Sequence, residues 1–342
     1  MLTPPLARNL EASVRDLESE RAGVRAASIG DLVRHAQGST EVRARAIPLL
    51  EKALGSDPAP EVRAASAVAL GDLAAHEALG ALLVAVEDTD LNVRQMALNA
   101  LGEIGDVRAL PRLRRALSDT RPEVRYQGII AFCRVANEDA DVLEAITRAT
   151  GDDDAAVRYI ALRLVEERTA DSPRPWDSLA PRVEKLLRDP ARQVALVAAI
   201  VLAKMGASSG HELIVKVVRG QVRADKEDER EAVEMAGEIG RRDLVPHLER
   251  RAWGAGRWLR DTCAFHAKIA LARLDHPRAV AEIARDLGSP KRDVCSAAVV
   301  AAGRALRFEL RAAIEALPEG AVDPELRSEA IARLSSPPTE PA

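Results

Sequence analysis

The sequence predicts an all-α fold, an α-solenoid in the form of a right-handed superhelix built from about ten two-helix repeats. Three observations lead to this prediction. The chain of 342 residues is longer than one hydrophobic core can usually serve. Aromatic residues make up only 2% of it although 47% is hydrophobic, so the core must consist of small aliphatic side chains, which suit closely packed helices. Short sequence segments also recur about every 34 residues.

The recurring segments define the repeat. Val24-Arg25-Ala-Ala-Ser returns as Val62-Arg63-Ala-Ala-Ser, and Gly-Glu-Ile-Gly occurs at residues 102–105 and again at 237–240. We take the residue at the Val position as the anchor of each repeat. The anchors are Val24, Val62, Val93, Val124, Val157, Val194, Asp228, Thr262, Val294 and Leu326.

Each repeat is predicted to contain two helices. After an anchor, apolar residues follow at helical spacing, as in Val93, Ala97 and Leu101, and a glycine or polar break ends the first helix. A second helix then begins, often with a proline in its first turn, where a missing N–H costs nothing. Such prolines are Pro111, Pro181 and Pro246. No segment alternates long enough to predict a strand.

The ends and the connections depart from the repeat. Residues 1–21 are expected to form a capping helix with an apolar stripe at Leu6, Leu10, Val14 and Leu17. The solenoid is predicted for residues 22–334, and a proline-rich disordered tail for 335–342. Longer connections are expected at residues 171–177 and 220–230.

An acidic residue precedes the arginine next to the anchor by six positions in four successive repeats. The pairs are Asp57 with Arg63, Asp88 with Arg94, Asp119 with Arg125 and Asp152 with Arg158. Each arginine could fork to the carboxylate of its own repeat or of the neighbouring one. The pairs are interpreted as a ladder that sets repeat spacing, and the alternative is a row of ligand-binding arginines. From Asp189 onward the pattern fails, because Ala195 replaces the arginine.

These repeats resemble the HEAT-repeat family, and more closely its short bacterial branch, the HEAT-like repeats named from phycobilisome lyases. The resemblance covers about residues 22–334. It implies an α-solenoid fold and a structural role for the Asp/Arg ladder. The family includes scaffolds, transport adaptors, lyase subunits and, in a related form, DNA glycosylases, so the resemblance leaves the function open.

Motifs for catalysis are not found. The six histidines lack the spacing of a zinc protease, and no glycine-rich loop followed by Lys and Ser/Thr is present. Residues 206–210 match Gly-x-Ser-x-Gly but follow a predicted helix instead of a strand, so a turn is the better interpretation. Cys133, Cys263 and Cys295 are predicted to be buried thiols in a reducing compartment. We therefore expect a cytoplasmic protein with no catalytic residue, metal or cofactor.

One segment gathers the residue types of an interaction site. Residues 250–261 contain two of the three tryptophans and four arginines, a composition found at interface hot spots. Candidate partner-binding residues are Arg250, Arg251, Trp253, Arg257, Trp258 and Arg260, together with Arg112 and Arg115 on a second helix of the N-terminal half. Packing of an irregular repeat, a protein interface and base stacking remain open for the cluster.

The sequence thus favours a bacterial-type, non-catalytic scaffold or regulatory adaptor that binds protein partners on the concave face and in the irregular C-terminal half. The alternatives are an accessory subunit of a lyase-type enzyme and a DNA-binding or DNA-alkylation-repair protein. The net charge of -4 and the nearly neutral second helices argue against nucleic acid. No membrane span, signal peptide or small-molecule substrate is predicted.

Overall fold

The computed structural model describes residues 9–171, 176–254 and 262–335, and of residues 169–171 only the backbone. Within these ranges every regular element is a helix, so the predicted all-α solenoid fold is confirmed. The chain divides into two compact units, unit 1 at Met1–Leu179 and unit 2 at Ala180–Ala342.

Unit 1 contains two layers of helices. The first helices of successive repeats, α2, α4, α6, α8 and α10, pack side by side, each against the next, and form the first-helix layer. The second helices, α3, α5, α7 and α9, form the second-helix layer, and each packs on the first helix that follows it. The bounds are α1 (Leu10–Asp16), α2 (Ala22–Ala36), α3 (Thr40–Ser56), α4 (Pro60–Asp72), α5 (Leu79–Ala85), α6 (Leu91–Ile104), α7 (Leu110–Ala116), α8 (Pro122–Val135), α9 (Asp139–Ala149) and α10 (Ala155–Asp171).

Unit 2 repeats the same arrangement. Its first helices are α12, α14, α16, α18 and α20, and its second helices are α11, α13, α15, α17 and α19. The bounds are α11 (Ala180–Leu186), α12 (Arg192–Lys204), α13 (His211–Val218), α14 (Lys226–Glu238), α15 (Val245–Trp253), α16 (Ala264–Arg273), α17 (Pro277–Leu287), α18 (Arg292–Arg304), α19 (Arg311–Glu315) and α20 (Pro324–Arg333). Short 3-10 turns introduce several of the second helices in both units, such as Val107–Ala109 before α7.

Most anchor residues lie in the core, as the repeat analysis predicts. Val62, Val93, Val124 and Val194 are all buried, because each first helix turns this position toward its neighbours. The anchor assigned to Thr262 is wrong by one position. Thr262 is exposed and Cys263 is fully buried. In this repeat Cys263 occupies the core position that valine occupies in other repeats. The sequence alignment of the repeats therefore selected Thr262, the residue just before it.

The recurring Gly-Glu-Ile-Gly segment has two structural uses. Its first glycine lies where neighbouring first helices touch: a Cβ added at Gly102 would come within 3.0 Å of the Ala131 Cα, and one at Gly237 within 2.6 Å of the Ala270 Cα. Its second glycine, Gly105 in one copy, ends the helix with a φ of +71°, a conformation that side chains with a Cβ disfavour. The segment is therefore a structural motif that closes a first helix.

The connection predicted at residues 220–230 is shorter than expected, because α14 begins at Lys226. Asp225 caps this helix and accepts hydrogen bonds from the backbone N–H groups of Glu227 and Asp228 at 3.1 and 2.9 Å. Acidic residues near a helix N-terminus also interact favourably with its dipole. The run of charges that suggested a loop is thus the first turn of a helix.

Part of the predicted domain layout can be placed. Helix α1 supplies the expected N-terminal helix and packs against α2. Leu6 of its predicted apolar stripe and all but the first residue of the predicted tail lie outside the described residues. The assignment of residues 1–21 as a cap and of 335–342 as a disordered tail stays a prediction.

Candidate protein-interaction surfaces

The Asp/Arg ladder connects neighbouring repeats of unit 1. Within unit 1 the ladder arginines donate to the aspartate of the following repeat: Arg63 forks to Asp88 with its Nε and Nη2 at 2.8 Å each, and Arg125 forks to Asp152 at 2.8 and 2.6 Å. Arg94 pairs with Asp119 through its Nη2 alone, and its buried Nε has no hydrogen-bond partner. The ladder begins one repeat earlier than the sequence pattern showed, because Arg25 forks to Asp57 at 2.7 Å.

Most ladder arginines also bind their own repeat through the backbone. Arg63 Nη1 donates to the carbonyl oxygen of Asp57 at 2.9 Å, and Arg125 Nη1 donates to that of Asp119 at 3.0 Å. The aspartate in turn accepts a backbone N–H from the start of the next helix, as Asp88 does from Asp90 at 2.8 Å. One arginine therefore ties the turn before its own helix to the turn of the next repeat.

This geometry favours ionised carboxylates. The hydrogen bonds from Arg63 lower the pKa of Asp88, and those from Arg25 lower the pKa of Asp57. Burial opposes ionisation at Asp152, yet the hydrogen bonds from Arg125 and from the Asp154 backbone still leave its pKa below the usual value. Because the guanidinium groups are engaged by carboxylates and carbonyls, the ladder is interpreted as structural and not as a row of ligand-binding arginines.

The three cysteines are free and buried, as predicted. Burial raises the pKa of the Cys133 thiol to about 12, so the thiol stays protonated and a poor nucleophile near neutral pH. In the described ranges no cluster of His, Cys, Asp and Glu has the geometry of a metal site. No helix in that part of the chain is long and apolar enough to span a membrane.

The structure places Trp253, the first tryptophan of the predicted cluster, in a network of internal contacts. It ends α15, and its indole N–H donates to Glu282 Oε2 on α17 at 3.1 Å. The Arg278 guanidinium lies 4.1 Å from the centroid of the indole ring, and the ring of His276 is 5.4 Å away. Trp253 is half-buried and joins two second helices of unit 2, so these contacts favour a packing role.

Glu282 is the polar centre of this network. Burial would raise its pKa, but hydrogen bonds from Lys268, Trp253 and Arg278 outweigh that effect and lower the pKa to about 2. Lys268 Nζ lies 2.8 Å from Glu282 Oε2, and Arg278 Nε lies 3.1 Å from Oε1. An ionised Glu282 thus holds together side chains from three helices of unit 2.

The other residues of the predicted cluster divide into three groups. Arg251 is half-buried and donates to Glu229 Oε1 on α14 at 2.8 Å. Arg250, one position earlier, is exposed. Arg257, Trp258 and Arg260 lie outside the described residues. The partner-binding role of the cluster stays a prediction, and Trp253 and Arg251 already have partners within unit 2.

A second surface lies on the second-helix layer of unit 1. We call it the Val84 surface and define it by Val84 on α5, by Glu87 in the turn that follows α5, and by Arg112 and Arg115 on α7. Val84 is 74% exposed, the most exposed large apolar side chain in the described part of the chain. It borders a groove of about 660 Å³ between α3 and α5, with small or apolar walls at Leu54, Gly55, Ala81 and Ala85.

Arg112 and Arg115, both candidates from the sequence, meet on the Val84 surface. They lie one turn apart on α7, and both point to the same oxygen of Glu87: Arg112 Nη1 at 3.1 Å and Arg115 Nη1 at 3.5 Å from Oε1. Sequence reasoning found the two arginines but missed Val84. An isolated valine in an apolar helix gives no signal of exposure, because which face it occupies depends on how α5 packs against α6.

The fold and the ladder define the class of protein, an α-solenoid made of two-helix repeats. Within this class, residues 47–133 match a family model of HEAT repeats, and the resemblance to HEAT repeats inferred from the sequence is confirmed. The matched range contains the complete Val84 surface. A comparison with curated protein sequences gives no match.

Two solved structures with TM-scores above 0.5 support the same fold. The Escherichia coli protein YibA is similar at 18% identity with a TM-score of 0.56, covering 78% of this chain and 93% of that one. A mutant of Kap121p is similar at 12% identity with a TM-score of 0.52, covering 95% of this chain and 40% of that one. The complex of CpcE and CpcF of phycocyanin lyase from Nostoc sp. PCC7120 matches at 18% identity and a TM-score of 0.43, covering 69% of this chain and 89% of that one.

Proposed function

We propose that this chain is a non-catalytic protein-interaction scaffold or regulatory adaptor, and that it binds a protein partner on the second-helix layer of unit 1. The observation that carries the proposal is Val84, a large apolar side chain left 74% exposed at the edge of an open groove. An exposed apolar residue next to a groove and ringed by charged residues is typical of a protein-binding surface.

The charged surroundings of the groove support this role. The carboxylates of Asp57 and Asp88 face the groove but already accept the guanidinium forks of the ladder. The ion pairs of Glu87 with Arg112 and Arg115 are partly exposed. Because exposed ion pairs contribute little to stability, the arginines can pair with carboxylates of a partner instead at a small cost in free energy. The ladder thus occupies the carboxylates of Asp57 and Asp88, whereas the ion pairs of Glu87 at the edge of the groove are accessible to a partner.

The test is a comparative pull-down from the native organism, followed by mass spectrometry. Val84→Glu should abolish capture of the partner because it places a charge in the apolar contact, and the melting temperature should stay unchanged because the side chain is exposed. The control is Ala27→Glu, which introduces the same residue at an exposed position of α2 in the first-helix layer. Equal capture by both variants would refute this surface as the binding site.

A further inference from the structure

The two arginines of the Val84 surface share a single carboxylate oxygen. Arg112 and Arg115 both approach Oε1 of Glu87, at 3.1 and 3.5 Å. A guanidinium group has five N–H donors, so one shared oxygen leaves most donors of the pair open to solvent. In the part of the chain that the structure describes, neither arginine has another side-chain partner. This group of three charged residues therefore carries an excess positive charge and spare hydrogen-bond donors.

The neighbouring charges do not offset that excess. Asp57 and Asp88 line the groove, but both carboxylate oxygens of each are held by a ladder arginine at 2.7 to 2.8 Å. On the other side of α7, Arg114 donates to Asp141 of α9 at 2.8 Å, and the charges of these two side chains balance each other. The uncompensated charge of this region thus lies at Arg112 and Arg115.

The apolar and cationic halves of the surface lie side by side. Val84 lies in the last turn of α5, and in the turn that follows the backbone N–H of Glu87 donates to the carbonyl oxygen of Val84 at 3.0 Å. Arg112 and Arg115 are three positions apart and share a face of α7. The contact of both arginines with Glu87 brings this face of α7 next to the end of α5. A complementary segment would present an apolar side chain to Val84 and a carboxylate to the arginines about one helical turn away.

We propose that the Val84 surface recognises an acidic, amphipathic segment of a partner protein, whose apolar side chain packs on Val84 and whose carboxylates bind Arg112 and Arg115. This inference rests on the proposed function and specifies the chemistry of the partner. Carboxylates suit guanidinium groups because the pair forms two parallel, charge-assisted hydrogen bonds. Phosphates would suit them as well, but Glu87 and the exposed Val84 disfavour a nucleic-acid backbone, which carries one negative charge per nucleotide.

The experiment is a selection from a random dodecapeptide library displayed on phage, with the full chain as bait. The wild-type protein should enrich peptides in which Asp or Glu stands within one turn of a large apolar residue. For the enriched peptides, the double variant Arg112→Glu/Arg115→Glu should weaken binding at least about tenfold in fluorescence anisotropy, because charge-assisted hydrogen bonds are lost and like charges are opposed. Used as bait itself, the double variant should enrich basic peptides.

The matched control is Arg114→Glu, which reverses a charge on the same helix but removes an arginine that is paired with Asp141. This variant should bind the selected peptides as the wild type does, and circular dichroism should show that all variants are folded. A result in which Arg114→Glu weakens binding as much as the double variant would contradict the proposal, since the effect would then reflect only the total charge of α7.

The other outcomes separate this inference from the proposed function. Enrichment of neutral or basic peptides whose binding is lost in Val84→Glu would overturn the acidic partner and retain the protein-binding surface. No enrichment, or binding insensitive to Val84→Glu, would overturn both. Tighter binding of single-stranded oligothymidine than of any selected peptide, with loss in Arg112→Glu/Arg115→Glu, would replace the acidic segment with a nucleic acid.

Discussion

The residues of the ladder show how one side chain can hold two repeats together. Arg63 reaches the Asp88 carboxylate of the next repeat and the Asp57 carbonyl before its own helix. Both side chains of the ion pair are largely shielded from solvent, so the interaction is stronger than a surface pair. Asp153 provides the contrast: it also pairs with a ladder arginine, Arg125, but is 92% exposed.

Asp88→Asn should lower the stability of unit 1 by about 1–3 kcal/mol at neutral pH, because Arg63 loses its charged partner. The matched variant Asp153→Asn should change stability by less than about 1 kcal/mol, since exposed pairs contribute little. Chemical denaturation of the two variants measures the difference. Equal effects would mean that the ladder adds no more than an ordinary surface pair.

The same pair predicts the pH dependence. The pKa of Asp88 is lower in the folded state than its unfolded value of about 3.9, so its contribution is complete above that value and is lost as the pH falls through the folded pKa. Stability of the wild type should therefore decline below about pH 4. The gap between the wild type and Asp88→Asn should close in the same range; a gap that stays constant down to pH 2 would contradict this assignment of the ladder.

Trp253 offers a test of packing against recognition. Trp253→Ala should reduce stability by about 2–3 kcal/mol, because the indole packs against Arg278 and His276 and donates to the ionised Glu282. Arg250→Ala on the same helix should leave the melting temperature unchanged, since that side chain is exposed. If Trp253→Ala melts like the wild type, the packing interpretation fails and a binding role for Trp253 becomes the better one.

At the scale of elements, the first helices approach one another through small residues. A Cβ at Gly237 would meet the Ala270 backbone at 2.6 Å, a distance that forces α14 and α16 apart. Gly30 lies in the middle of α2 and has nothing within 4 Å of an added Cβ. The two glycines therefore differ in the atoms that an added Cβ would meet.

Gly237→Ala should destabilise the protein by about 1–3 kcal/mol through overpacking, even though alanine is the better helix former. Gly30→Ala should stabilise it by up to about 1 kcal/mol, because only the helix propensity changes. Thermal denaturation of the two variants checks the pair. Stabilisation by both would show that the helices can separate freely at this contact.

The end of a first helix gives a second test. Ala74 stands where Gly105 and Gly240 stand in their repeats, and it adopts a φ of +46°. Non-glycine residues are strained in this region, so Ala74→Gly should raise stability by about 1 kcal/mol. The reverse change, Gly105→Ala, should lower it by a similar amount. A destabilised Ala74→Gly variant would mean that the entropy of the unfolded chain outweighs the relief of strain.

At the scale of the molecule, a repeat protein is stabilised locally by the interfaces between neighbours. In unit 1 the ladder adds forked ion pairs at successive interfaces, and its arginine is replaced by Ala195, Glu229 and Ala264 in unit 2. Amides of residues 62–165 should therefore exchange hydrogen more slowly than those of residues 205–254. Hydrogen exchange with mass spectrometry measures this; equal protection would mean that packing alone sets local stability.

The sequence by itself determined the helical fold, the repeat and most core positions, because periodic apolar residues, prolines in first turns and recurring glycines act locally. Only the tertiary structure showed that Arg63 pairs with Asp88 of the next repeat instead of the aspartate six positions before it. It also showed that α14 begins inside a run of charges, and that Val84 is exposed beside Arg112 and Arg115. The physical reason is that exposure and pairing across repeats depend on the distance and orientation between helices of different repeats. A local sequence pattern carries no information about that distance or orientation.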